Sequence, residues 1–544
     1  MKKEVAGVAE SIQDFLLWVL KITAGIYVFL IGGMMPFYYQ KAKNYTTIGT
    51  AKAKFYMHWG YDLCKVALLA FALYLVFTVV CLLQKEKKSK GYIKRYFREF
   101  AESLSIIDRF VILYMAALTI SFILTPFKEF ALQGAAGWSM GYVPQMVFAC
   151  SYLLISRVFT KKMALCSIVL MLCTSTGVFL LGLLNRYGIN PLNMQSSGPG
   201  FISTIGNVNW YAGYWSVLGS LSMVLFVFYE GKRWWGVFLR ILLVLTAMIA
   251  YATGITQGSD SGILTLVVLI GVLGLLSVKK EGALRRFMLL LLLFAGTTLG
   301  LHFVQNRFPD ANRYRTGAYD TLVVTNYSLL AVGVLTVLCI LVYCRWSGKP
   351  MQKILRVSWY AVTFVSVIAI PIFIFLLIQN TKNPGSIGAL SDNPLFVFDA
   401  HWGSARGATW KSGFASFQSL SPLHRMFGAG PDCMAALIYQ GKDSALTEMV
   451  QGYFGKSRLT NAHNEWLTIL VNTGILGLTS WIVLMSSGVL TYIKQNRSVI
   501  AKACGVALLC YSVHNIFSFQ TMNNIPQMYI VMAVGAVCIQ KKEQ

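Results

Sequence analysis

Apolar runs about twenty residues long recur along the whole chain, separated by polar or charged stretches. The bilayer core holds no water, so a crossing chain must satisfy its own backbone. Roughly 20 consecutive, mostly apolar residues in a helix span it. By window length the pattern predicts about 14 membrane helices, near 14–35, 63–83, 109–125, 143–158, 163–184, 208–229, 236–252, 262–278, 287–304, 321–344, 358–379, 464–485, 504–518 and 526–540. The expected fold is an all-α polytopic membrane protein. The first run is long enough to be a retained span rather than a cleaved signal segment.

One polar stretch breaks this rhythm. Residues 380–463 are too polar to insert and too long for a connector, and such loops on rigid scaffolds tend to carry function. The chain therefore divides into eleven spans with short loops (1–379), a large and partly helical loop (380–463), and three last spans with a short tail (464–544). Within the loop, Trp410, Phe414 and Phe417 recur at helical spacing beside Arg406 and Lys411. SPLHRMFGAGPD then reads as a turn set by Gly428, Gly430 and Pro431. Residues 36–61 form a moderate basic and aromatic loop. Residues 84–108, with Tyr92, Tyr96, Phe97 and Phe100 at helical spacing, read either as an amphipathic helix on an anionic leaflet or as a charge cluster that only sets topology.

Composition agrees: 56% of residues are hydrophobic and 12% charged, about half the charge of an ordinary soluble protein. The net charge of +26 would suit a nucleic-acid partner, but its distribution argues against one. With the amino terminus inside, more than half of the 47 basic residues fall on one set of loops, and the short loops carry the contrast. This predicts the cytoplasmic membrane as location, both termini cytoplasmic, and the large loop outside. Most of the 11 Cys lie in or at the ends of spans and read as small apolar residues; Cys433 has no obvious disulfide partner in its loop.

Several residues could carry chemistry. His463 is expected at the first turn of the span 464–485, where Thr460 and Asn461 can cap and Asn464 or Glu465 can bond back to free amides. Partial positive charge there disfavours imidazolium, so His463 suits a general base; the alternative is an interfacial His bonded to the helix start. Arg406 and Trp410, four apart, share a helix face. Arg406 is suited to forked bonding with phosphate oxygens, or it snorkels at the surface. Arg307, Arg313 and Arg315 run against the charge trend and suggest anion binding, or form a solvated loop. Asn207 and Asn209 lie at the start of a span and could cap it or bond a ligand. No phosphate-loop GxxxxGK signature, GxSxG or kinase motif is present. The scattered His302, His401, His424 and His514 show no ligand spacing, so no dedicated metal site is expected.

AHNEWL at 462–467 followed by NTGILGL resembles the AHN-aromatic-Leu signature of the O-antigen ligase and polymerase family. RGATWKSGFASF with HRMFGAGPDCM resembles its Arg-x-x-x-Trp segment and Phe-Gly-x-Gly-Pro-Asp turn, and GNVNWYAGYW its Gly-Asn-x-Asn span. The motifs keep the family's order over residues 198–520 or so. The resemblance implies an inverting, integral-membrane glycosyltransferase of the C-type class, working outside the cytoplasmic membrane without a metal, nucleotide sugar or other cofactor. It implies a glycan donor on polyprenyl (undecaprenyl) diphosphate, with His463 activating the acceptor hydroxyl and Arg406 holding diphosphate. Trp410, Asn464, Glu465, Asn207 and Asn209 would be supporting residues. Where family ligases often place an Arg after a Thr-Gln pair, TQGSDSG has Asp260; Arg313 or Arg315 would supply the second phosphate contact.

The partners implied are the lipid-linked donor, an acceptor glycan, lipid or protein, and the membrane, with no nucleic acid. The residues name no chain-length or envelope-assembly partner. A ligase and a repeat-unit polymerase of the same family differ only in acceptor. A flippase for the same lipid-linked glycan would call for repeated halves and ionisable groups buried in spans. Only Lys21 is deep in a span, and no repeat relates two halves of the chain.

Overall fold

A computed structural model describes the backbone of residues 2–39, 47–88, 90–135, 137–195, 200–231, 234–310, 312, 317–325, 327–343, 349–495 and 497–540. In chain order the helices are α1 (Lys2–Tyr27), α2 (Ile48–Phe55), α3 (Tyr61–Lys88), α4 (Tyr92–Ser103), α5 (Ile106–Leu124), α6 (Lys128–Gln133), α7 (Tyr142–Val158), α8 (Lys161–Arg186), α9 (Val208–Phe228), α10 (Trp234–Thr256), α11 (Asp260–Ser277) and α12 (Glu281–Arg307). They continue as α13 (Gly317–Tyr319), α14 (Tyr327–Tyr343), α15 (Lys349–Lys382), α16 (Trp402–Gln418), α17 (Pro422–Phe427), α18 (Met434–Gln440), α19 (Ser444–Phe454), α20 (Glu465–Ile493), α21 (Val499–His514) and α22 (Ile525–Ile539). A short antiparallel pair, β1 (Phe201–Ile202) and β2 (Gly206–Asn207), precedes α9.

The protein is an all-α polytopic membrane protein. Among the described residues ten helical segments are long and apolar enough to cross a bilayer, and α21 and α22 are shorter apolar helices. Burial sorts them. The apolar window of α9 is entirely buried, while that of α15 is entirely unburied and presents Val365, Phe375 and their neighbours outward, as a helix facing lipid would. α9 packs against α21, α10, α11 and α12, and α20 packs against α21 and α5. Small residues allow this closeness: a Cβ on Gly213 of α9 would stand 2.4 Å from Asn524 Nδ2.

Two departures from expectation concern segments outside the spans. The window 504–518 overruns, because α21 ends at His514 and the chain then runs mostly buried and non-helical to Asn524. Its amides and hydroxyls bond locally, which competes with helix: Thr521 N–H donates to Asn524 Oδ1 at 3.1 Å and Asn523 N–H to Thr521 Oγ1 at 3.3 Å. Pro526 then opens α22. The loop 36–61 is partly helical, and in it Lys52 is buried. Its Nζ donates to the carbonyls of Met35, Pro36 and Tyr38 at 2.5, 2.9 and 3.0 Å.

Between α15 and α20 the polar stretch folds on itself. Met434, Ile438, Leu446, Val450, Leu459 and Ala462 form a small core completed by Leu467 and Val471 of α20. This core fixes the stretch to the start of α20.

Candidate functional site

The FGAGPD turn lies on a break in α20. Ala429 N–H donates to the Val471 carbonyl and Gly430 N–H to the Asn472 carbonyl, each at 2.9 Å. Asn472 Oδ1 accepts from Met434 N at 2.9 Å, and its carbonyl also accepts from Ser121 Oγ on α5 at 3.0 Å. Two backbones this close leave no room for a side chain. A Cβ on Gly428 would stand 2.2 Å from the Asn472 carbonyl oxygen, and one on Gly474 2.4 Å from Met426. Both glycines have positive φ, 81° and 69°. Asp432 extends the clamp, its Oδ2 accepting from Ala135 N at 2.7 Å and Met140 N at 3.3 Å. Burial pushes the Asp432 carboxyl up to about 7, against those two N–H groups, which favour the charged form.

Above this clamp stands His463. It lies one residue before the N-cap of α20, not within the first turn, and its backbone is left-handed (φ 48°). Asn461 Oδ1 accepts its N–H at 3.0 Å, which holds the turn. The ring meets the edge of Phe519, centroids 4.8 Å apart at 80°. No ring nitrogen bond is made to another described residue, and the ring borders an open pocket. Burial, reinforced by the Arg406 charge, pushes its pKa down to about 4. The imidazole is therefore neutral at physiological pH, with desolvation rather than the helix dipole as the main cause.

Arg406 enters through a strained turn. Gly403, Ser404 and Ala405 all have φ between 60° and 68°, a conformation costly for residues with a Cβ. Gly407 is then forced, since a Cβ there would stand 1.8 Å from the Asp399 carbonyl oxygen. The guanidinium donates from Nε to the Phe517 carbonyl and from Nη1 to the Gly403 carbonyl, both at 2.8 Å. These bonds leave N–H groups of the fork for another acceptor. Burial works against the charge, and Asp260 supports it.

Arg406 and His463 line one pocket of about 750 Å³, together with Asn209, Ser259, Asp260 and Thr409. Of the paired asparagines, Asn207 caps α9 through Asn209 N at 2.8 Å, and Asn209 faces the pocket and accepts from Ser259 Oγ at 3.2 Å. Asn464 caps α20 through Leu467 N at 3.0 Å. Glu465 turns away from the pocket toward a second, internal polar cavity shared with Asp432, its Oε2 accepting from Gln520 N at 2.7 Å. Trp410 stands behind Arg406, stacked on Phe517 with centroids 5.7 Å apart. Arg313 and Arg315 lie outside the described residues.

The wall that sequence reasoning missed is the segment 515–520. It supplies the Phe517 carbonyl to Arg406, the Phe519 ring to His463 and the Gln520 amide to Glu465, and the Asn515 carbonyl accepts from Glu465 N at 2.9 Å. The signal available was the polar Asn515, Ser518 and Gln520, which interrupt the apolar residues at the end of the window 504–518. Arg186 was also unremarked: it is buried below the TQGSD turn, and its Nη2 donates to the Gln257 carbonyl.

A polytopic helical membrane protein with a histidine and an arginine in one pocket at the ends of its helices is the class that fold and site define. Residues 321–482 match the family model described as O-Antigen ligase. The chain carries a domain of the O-antigen ligase family, in agreement with the motifs quoted above. No curated protein matches it. The matched segment contains Arg406, the FGAGPD turn and His463, and ends within α20.

Proposed function

We propose that the protein transfers a glycan from a polyprenyl (undecaprenyl) diphosphate carrier to an acceptor hydroxyl, at the outer face of the cytoplasmic membrane. The observation that carries this reading is the shared pocket of Arg406 and His463. The neutral His463 ring takes the proton of the acceptor hydroxyl. The oxygen attacks the anomeric carbon from the face opposite the leaving group, and the bond from that carbon to the diphosphate oxygen breaks. The electron pair leaves with polyprenyl diphosphate, and the configuration inverts.

Negative charge grows on the leaving diphosphate as the bond breaks. A guanidinium already held by two carbonyls opposes that charge without reorganising, and a preorganised donor is worth more than water there. The bound diphosphate also raises the basicity of His463, because its negative charge offsets the Arg406 charge that lowers it. The base therefore strengthens when the donor arrives. Arg313 or Arg315 supplies the second phosphate contact, and Trp410, Asn209, Asn207, Asn464 and Glu465 support the site.

The test is a transfer assay with purified protein, lipid-linked glycan and acceptor. Glycan on the acceptor and free polyprenyl diphosphate are expected. Movement of intact lipid-linked glycan across vesicles without transfer would instead identify a flippase. A repeat-unit polymerase uses the same chemistry and differs in acceptor: a deletion strain accumulates unpolymerised repeats for a polymerase, and long chains still on the lipid for a ligase.

A further inference from the structure

A third cavity, apolar and open, lies far from the site. It occupies about 1320 Å³ between α1, α3, α5 and α7, bordered at one end by Phe100, Leu104 and Arg157 and at the other by Tyr27 and Leu63. Its lining is almost wholly hydrocarbon. Three of the hydroxyls along it already have partners: Thr23 with the Val19 carbonyl at 2.9 Å, Tyr27 with Tyr56 at 2.8 Å, and Ser151 with the Phe148 carbonyl at 2.7 Å. The groove is open, with Leu68 and Phe71 about half exposed, and in a bilayer its walls gain packing when lipid chains lie in it.

The mouth by Leu104 carries charge. α4 has no buried residue; Phe97 and Phe100, 60% and 53% exposed, lie one turn apart on it, and Lys94, Arg95 and Arg98 lie on its other sides. Arg98 pairs with Glu102 at 3.6 Å, and Arg157 pairs with Asp108 and reaches the Ser103 carbonyl at 3.3 Å. Lys94 and Arg95 have no acidic partner among the described residues. We propose that this groove holds an anionic phospholipid, its chains between α1, α3, α5 and α7 and its phosphate beside Lys94 and Arg95.

The occupant is distinct from the glycan donor. Ser121, near the far end of α5, bonds to Asn472 beside the His463 site, whereas the charged mouth adjoins Ile106. At 1.5 Å rise per residue, about 22 Å of helix separates the two. The donor's diphosphate at Arg406 is thus at the wrong end to meet Lys94.

Native mass spectrometry of the full-length protein, incubated with phosphatidylglycerol, phosphatidylcholine or polyprenyl monophosphate, tests this. Because each cation near a headgroup adds to anionic-lipid attraction, phosphatidylglycerol should be retained about tenfold better than phosphatidylcholine. Filling the groove with Ala67→Trp, or independently Cys150→Phe, should lower that retention about as much, by removing the space for its chains. Lys94→Gln with Arg95→Gln should erase the headgroup preference while the groove still takes a lipid. Equal retention of the two phospholipids, retention unmoved by both filling variants, or a preference for polyprenyl monophosphate would overturn the proposal. Glycan transfer enters none of these readings, so the result stands apart from the function proposed above.

Discussion

Arg406 donates its Nε–H to the carbonyl of Phe517 at 2.8 Å, which ties a residue before the last spans to the connection between the final two helices. The bond uses one edge of the guanidinium and aims the rest at the pocket. Arg406→Ala should lower transfer about 10²–10³-fold, the usual cost of removing one preorganised donor at a developing charge. Arg406→Lys should recover little of it, because an ammonium cannot hold two carbonyls and a phosphate in one plane. Rates from purified variants with matched melting temperatures check this.

The pH profile separates the empty site from the loaded one. His463 titrates near 4 when the pocket is empty, and the neutral form is the base. The acid limb that His463 sets on kcat/KM should therefore lie near pH 4, with no loss through neutrality. The donor's phosphates raise the imidazole pKa, so the acid limb of kcat should lie at higher pH. Arg406→Gln removes the repelling charge, and the limb of kcat/KM should move up. Limbs that coincide, and that ignore this substitution, would contradict the coupling.

Glu465 is predicted to act through position rather than contact. Its carboxylate holds Gln520 N and its own N–H holds the Asn515 carbonyl, which fixes the wall carrying Phe517 and Phe519. Glu465→Gln keeps an acceptor for the Gln520 amide and should retain most activity. Glu465→Ala strands that buried N–H at a cost of about 1–3 kcal/mol. It should lower the melting temperature and lower kcat more than it raises KM, without moving the acid limb set by His463.

Arg313 and Arg315 are the cations proposed for the second phosphate. Arg313→Ala and Arg315→Ala together should raise KM for the lipid-linked donor and weaken binding of polyprenyl diphosphate. Full transfer by the double variant would remove both from the site and leave Arg406 as its cation.

Much of this protein was legible in the sequence because a bilayer imposes a simple rule on long apolar runs. Most of the windows fall on helices, although 504–518 runs past α21, and 380–463 stands out as a polar stretch. His463 and Arg406 were legible through residue chemistry and motif, and the pocket brings them together. The glycine motifs looked like turns, but their reason is tertiary: Gly428 meets the backbone of Asn472 and Gly474 that of Met426 at a break in α20, which no local pattern reports. Glu465 looked like a cap for its own helix because the spacing allows it, yet its carboxylate found the Gln520 amide 55 residues away. Most of the 515–520 wall was hidden inside the window 504–518, since Ile516 and Phe517 count toward a span while Asn515 and Ser518 interrupt it.

The most direct test of the central claim is the transfer rate of purified His463→Ala beside the unaltered protein, with lipid-linked glycan saturating and folding verified by melting temperature. Loss of the base that accepts the acceptor's proton should lower the rate about 10²–10⁴-fold while polyprenyl diphosphate still binds at Arg406. A variant that folds, binds the carrier and transfers at the unaltered rate would mean that His463 takes no proton in the reaction.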